Sequence, residues 1–146
     1  MKTDLPALLS LIDLFYGKDF TLEKAEALFG PVAADKGDSI ELSPPKGSNA
    51  ASVTLEKFFV KPDEPLFLAG ICFTFKEPPL VDFAAFALRY GPEVELPRLK
   101  PRQDVPYRLQ IPGTDYSGYM LCLARPDAQG PLRTVNKLVL RRFPGE

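Results

Sequence analysis

Two stretches of the chain carry the same signal: Thr21 to Pro31 (TLEKAEALFGP) and Asp82 to Pro92 (DFAAFALRYGP). Each opens on a residue able to cap a helix N-terminus, runs through helix formers and apolar residues, and stops at aromatic-Gly-Pro. Glycine there ends the helix in a left-handed conformation and proline cannot continue it. Strand-like segments follow both copies. The pattern confines the chain to an α+β architecture with an imperfect internal duplication, pseudo-repeats 1–79 and 80–146, within a single domain spanning 1–146.

The remaining elements hang on that frame. Leu5, Leu8, Leu9, Leu11, Ile12 and Phe15 recur at helical spacing from Thr3 or Asp4, with Pro6 just inside and Gly17 as a stop. In the Thr21 helix, Leu22, Ala25 and Leu28 share a face. Strands are expected at Ser39–Leu42, at Ser52–Val60 (Val53, Leu55 and Phe59 on one face) and at Leu66–Phe75. In the last of these, Phe67, Ala69, Ile71, Phe73 and Phe75 alternate onto one face, and a turn at Lys61–Pro65 makes the pair a hairpin.

Leu80 to Tyr90 reads as a helix apolar nearly all round, hence buried on most sides. Pro92 to Pro106 has a proline every few residues and reads as an extended, polyproline-like connection. Strands then follow at Tyr107–Ile111, Gly118–Ala124 and Leu132–Phe143. The order ααβββ then αβββ predicts an antiparallel sheet of about six strands with helices packed on one face, because so apolar a sheet needs cover.

Composition narrows the function classes. The chain has 146 residues, 45% hydrophobic and 25% charged, which suits one domain with a proper core. A net charge of -1 gives no footprint for nucleic acid or an anionic membrane. The charge is uneven: every arginine lies at or after Arg89, and the earlier part carries lysine only, with an acidic excess. That reads either as chance or as an acidic face beside an Arg-bearing face. No apolar stretch approaches the ~18 residues of a membrane span, and MKTDLPALLSLIDLF lacks the marks of a secretory signal. Cys72 and Cys122 sit in apolar runs, as reduced thiols of a cytoplasmic protein would.

The chain has no histidine, which removes the Ser-His-Asp and Cys-His constellations and the commonest metal ligand. Neither GxGxxG nor GxxxxGK[ST] occurs. Apolar neighbours should raise the pKa of both thiols above the reactive range. Carboxylate pairs such as Asp63–Glu64, Glu93–Glu95 and Asp35–Asp38 fall in turn-like stretches and read as solvated loops. No catalytic residue, metal ligand or cofactor site is therefore assigned, and the chain reads as a non-enzyme.

A surface is the better candidate. Arg98, Lys100 and Arg102 alternate in the Pro-rich connection, and Tyr107, Tyr116 and Tyr119 lie on or beside the following strands. Tyr and Arg are enriched in interface hot spots, and a stiff loop loses little entropy on binding. The other reading is a solvated linker with tyrosines packed on the sheet rim.

Residues Gly17 to Pro31 (GKDFTLEKAEALFGP) resemble the opening of the repeat shared by the beta-lactamase-inhibitor-protein fold and the SmpA/BamE-type envelope domains. Those repeats begin with a short helix, a Gly-x-Thr/Ser helix start and a Leu-Gly-x-Pro-like stop, then enter an antiparallel sheet. The resemblance implies a non-enzymatic protein that presents its sheet to another protein. The expectation is a cytoplasmic protein-binding domain, most concretely an immunity-type or inhibitor protein that neutralises a toxin or enzyme. A homodimer through an edge strand is a further partner. Two alternatives stand beside it: a small-ligand or catalytic domain whose apolar pocket is lined by Phe67, Phe73, Phe83, Phe86 and Tyr119, and a structural subunit of a complex.

Overall fold

The computed structural model describes residues 5–58, 67–97, 100, 103–112, 115–125 and 130–143. The two matched signals make two matched helices. After α1 (Leu5–Phe15), α2 (Leu22–Phe29) starts where the Thr21 hydroxyl accepts from the Lys24 N–H at 3.2 Å. Helix α3 (Phe83–Tyr90) starts where the Asp82 carboxylate accepts from the Ala84 N–H at 2.9 Å. Gly30 (φ 103°, ψ 168°) and Gly91 (φ 90°, ψ 171°) end them in a backbone region that glycine alone tolerates. Their N–H groups close on Glu26 and Ala87 carbonyls.

The strands are β1 (Val32–Asp35), β2 (Ser39–Leu42), β3 (Ala50–Phe58), β4 (Phe67–Phe75), β5 (Leu80–Asp82), β6 (Val94–Glu95), β7 (Val105–Ile111), β8 (Gly118–Ala124) and β9 (Leu132–Arg142). All pair antiparallel, in the order β1-β2-β3-β4-β9-β8-β7-β6, with β5 added to the first residues of β9. The protein is thus α+β, but its sheet exceeds the expected six strands and dominates the molecule. The three additions are short. β1 and β6 pair at the sheet edges, and β5 takes Leu80–Asp82 from what reads as the start of a helix.

The chain order has a simple geometry. Helix α2 leads into the meander β1–β4, α3 leads into the meander β6–β9, and the last strand of each, β4 and β9, join the two.

Residues directly opposite on paired strands point to the same side of a sheet. One row runs Ile40, Leu55, Ile71, Leu140, Met120, Leu109; the next runs Leu42, Val53, Phe73, Leu138, Cys122, Tyr107. Every one of these is buried. The helices reach this inner face: Phe29 of α2 meets Phe73 edge-on at 5.1 Å, and Phe83 of α3 meets Tyr107 at 5.2 Å. Helix α1 adds Ile12 and Phe15 to the same core.

Three local expectations change. Helix α3 is buried on one side only: Phe83 and Phe86 are enclosed while Leu88 stands 92% exposed. In α2, Ala25 is the buried residue and Leu28 is 47% exposed. In β4, a register shift opposite Glu56 and Lys57 inverts the alternation, so Leu68 faces the core with Ile71 and Phe73 while Phe67 and Ala69 do not. Among the described residues, no helix is long and apolar enough to cross a membrane.

Candidate protein-binding face

The six residues singled out from the sequence do not form one patch. Tyr107 is core: it is 8% exposed, with Phe83 on its ring and the Arg133 guanidinium 5.3 Å away. It shares the buried phase of β7 with Leu109 and Ile111, which takes it away from any surface. Tyr116 is half-buried and packs on Phe67 and Arg142. Tyr119 is likewise half-buried, on β8, on the side away from the helices. Lys100 is exposed in a turn, where the Gln103 N–H donates to its carbonyl at 3.1 Å and its own N–H donates to Gln103 Oε1 at 3.3 Å. Arg98 and Arg102 lie outside the described residues.

The outer face of the sheet is built by the same alternation. Its central row runs Glu41, Thr54, Cys72, Val139, Leu121, Arg108 and Val94. The apolar centre, Cys72, Val139 and Leu121 with Leu123 beside it, is half-buried. Around that centre stand charged and aromatic groups. The Arg108 guanidinium lies 4.5 Å over the Tyr119 ring, and Phe143 packs beside the same ring at 6.1 Å. Glu56 on β3 and Arg141 on β9 form an ion pair at 2.5 Å across the intervening β4. They cross above Gly70, where a Cβ would come within 3.2 to 3.3 Å of both side chains. Ser52 and Thr74 share a hydroxyl hydrogen bond of 2.6 Å. The alternation of Tyr107, Leu109 and Ile111 with Arg108 and Gln110 already puts Arg108 on the opposite face, although it is not among the six residues singled out for binding.

Behind this face, a buried guanidinium fastens the helical end of the molecule to the sheet. Arg142 is 4% exposed and has no carboxylate partner among the described residues. Its Nε donates to the Leu68 carbonyl at 2.6 Å, Nη1 to the Phe15 and Gly17 carbonyls at 2.8 and 3.2 Å, and Nη2 to the Phe20 carbonyl at 3.4 Å. Phe15, Phe20, Phe67 and Tyr116 rings surround it at 4.7 to 5.5 Å. Burial lowers its pKa to about 10, so it stays charged at neutral pH. The Tyr16 carbonyl accepts the Tyr116 N–H at 3.0 Å and the Tyr16 hydroxyl donates to the Tyr119 carbonyl at 2.8 Å. The α1–α2 connection is therefore held from several sides, and Tyr116 serves it.

The available nucleophiles are muted. Burial pushes the Cys122 thiol up to about 12 and raises Cys72 as well, with Lys137 pulling the second one back. Both thiols are free and point to opposite faces of the sheet, so they cannot meet. Among the described residues, no three His, Cys, Asp or Glu side chains gather as metal ligands would. The rings proposed as a pocket lining are packed on neighbours: Phe73 on Phe29, Phe83 on Phe86 and Tyr107, Phe67 on Tyr116. No protein-family model, curated protein or solved structure matches the chain, so its own side chains must carry the functional reading.

Proposed function

We propose that this is a non-enzymatic protein-binding domain that presents the outer face of its sheet, most concretely an immunity-type or inhibitor protein that neutralises a toxin or enzyme. The observation that carries the reading is the half-buried apolar row Cys72–Val139–Leu121, with no helix over it, flanked by Arg108 on Tyr119 while the opposite face is closed by helices. An apolar centre with Arg and Tyr beside it has the make-up of an interface hot spot. The likeness of Gly17–Pro31 to the inhibitor-type repeat points the same way.

Charge narrows the partner. Arg108, Lys137 and Arg141 lie on the β7–β9 half of the face, whereas Glu41 and Glu56 lie on the β2–β3 half. A partner with an acidic margin around an apolar centre suits the Arg-bearing half. Edge-strand pairing offers less: β1 has four residues and a register shift, and β6 has two. Two free thiols, one half-buried, suit a reducing compartment such as the cytoplasm.

The test is affinity capture with the wild-type chain, with the double variant Arg108→Ala/Tyr119→Ala, and with Lys100→Ala. The double variant should weaken the captured partner about 30-fold or more, as loss of hot-spot side chains does, and Lys100→Ala should not. A dissociation constant unmoved by the double variant sinks the face assignment. Assaying the partner then separates an inhibitor, which silences it, from a structural subunit, which leaves its activity intact.

A further inference from the structure

The sheet contains its own control. A half-turn about the midpoint between Cys72 and Val139, which stand opposite each other, exchanges β4 with β9, β3 with β8 and β2 with β7. The registers on either side match: Thr54 stands opposite Cys72 as Leu121 does opposite Val139, and Glu41 opposite Thr54 as Arg108 does opposite Leu121. On the inner face the exchange changes little. Leu42 corresponds to Leu109, Val53 to Met120 and Ile71 to Leu138, all buried. On the outer face it changes the chemistry. Ser52, Thr54 and Glu56 along β3 correspond to Tyr119, Leu121 and Leu123 along β8. Glu41, Gly70 and Thr74, on the strands flanking β3, correspond to Arg108, Lys137 and Arg141, on the strands flanking β8.

Water alone accounts for the first pattern, since a solvated sheet face carries polar residues. It does not account for the second. There an apolar stripe runs down one strand, Leu123, Leu121 and Tyr119, with Phe143 packed at the Tyr119 end and cations on both neighbouring strands. Glu56 already holds Arg141, whereas Arg108 and Lys137 have no carboxylate partner among the described residues. Given that the outer face is read as protein-binding, we infer that this stripe seats one amphipathic α-helix of a partner protein, laid along β8 with Asp or Glu on both flanks. Width decides the shape. The strands β7 and β9 lie roughly 10 Å apart, two strand spacings, and a helix with its side chains is about 10–12 Å across. One helix therefore covers the apolar strand and brings its flanks over both cationic borders. An extended segment laid flat there would leave its backbone groups unpaired over apolar ground. A second copy of this chain fits worse. Turned face to face about an axis along the strands, it sets Ser52 and Thr54 on Leu123 and Leu121; turned about an axis across them, it sets Arg108 on Arg108.

A phage-displayed library of random peptides, each about 16 residues or about 24 Å as a helix, tests this on the full-length chain. Counter-selection uses Arg108→Glu/Tyr119→Ser/Leu121→Thr, which gives β7 and β8 the residues their counterparts already carry in β2 and β3. Selected peptides should carry apolar residues at helical spacing with Asp or Glu on either side. One of them, synthesised, should shift the backbone amides of Tyr119, Leu121 and Leu123 saturably, and not those of Ser52, Thr54 or Glu56. The triple variant should bind it about 30-fold more weakly or worse. Arg108→Glu alone, which alters one exposed side chain, should cost about 10-fold and serves if the triple variant does not fold. Basic flanks, alternating instead of helical spacing, or no selected peptide would overturn the helix. So would a globular partner that depends on Arg108 and Tyr119 and that no peptide displaces, although the face itself would then stand. Phosphatidylserine vesicles that sediment the wild type but not the triple variant would overturn it in favour of a membrane, and a wild-type dimer dispersed by that variant in favour of a second copy.

Discussion

Arg142 concentrates at one position what most small domains spread over many. Its guanidinium serves four backbone carbonyls from two distant parts of the chain, the end of α1 with the connection after it and β4, and its rings-only surroundings leave no competing anion among the described residues. Arginine is the one side chain with enough donors in a rigid plane to do this. Arg142→Met should therefore destabilise the fold by about 3–5 kcal/mol, since it strands buried acceptors as well as losing their bonds. Arg142→Lys should still cost about 2 kcal/mol or more, because a point ammonium cannot span the same acceptors. Urea unfolding midpoints check both, and a methionine variant within about 1 kcal/mol of wild type would contradict the cage. Nothing in the sequence marks this residue: Arg141 and Arg142 stand side by side, and only the phase of β9 sends one outward to Glu56 and the other inward. The tyrosines teach the same lesson. Tyr107, Tyr116 and Tyr119 are alike in composition, yet strand phase places the first in the core, a cage claims the second and the third remains on the open face.

At the level of elements, the two helix stops are the most legible feature of the chain, because a cap, a short apolar run and Gly-Pro act locally and need no tertiary partner. Equal backbone angles at Gly30 and Gly91 do not imply equal surroundings, however. A Cβ at Gly91 would meet nothing within 4 Å, whereas one at Gly30 would lie 1.8 Å from the Ser43 carbonyl oxygen. Gly91→Ala should thus cost only the backbone strain, about 1–3 kcal/mol. Gly30→Ala must also displace the residues after β2 and should cost clearly more, to the point of lost expression. Comparing the two midpoints tests this directly; equal penalties would mean that Ser43 yields freely. The short strands were illegible for the opposite reason. β1, β5 and β6 hold four, three and two residues, too few for alternation to register, and they exist because a longer neighbour offers an edge. The phase of β4 was hidden likewise, since a bulge depends on how two strands meet and leaves no mark in either alone.

At the scale of the whole molecule, pairing of β4 with β9 lays the two halves of the chain side by side, and with them the charge. Through Pro79 there are eight basic and twelve acidic residues; from Leu80 onward there are ten and seven. That asymmetry is visible in the sequence, but whether it means two faces or two ends of one face depends on the strand order. The closed inner face has its own consequence. Cys122 lies in its centre, and burial alone lifts its thiol from 9.0 to about 12. A group whose pKa is raised by folding contributes its full stability below the unfolded value and loses it as the pH climbs toward the folded one. Between pH 8 and 10 the unfolded chain releases this proton and the folded chain keeps it, which should lower stability by about 1.4 kcal/mol from this thiol alone. Cys72, also raised, adds in the same direction, and the buried Tyr16 hydroxyl, raised by burial, extends the loss above pH 10. Cys122→Ala should start less stable, from the small cavity it leaves, yet lose less on going from pH 8 to 10. Urea unfolding of both chains at the two pH values gives the difference. Equal losses would mean that water reaches this thiol in the folded protein, and that the helices do not seal the inner face of the sheet.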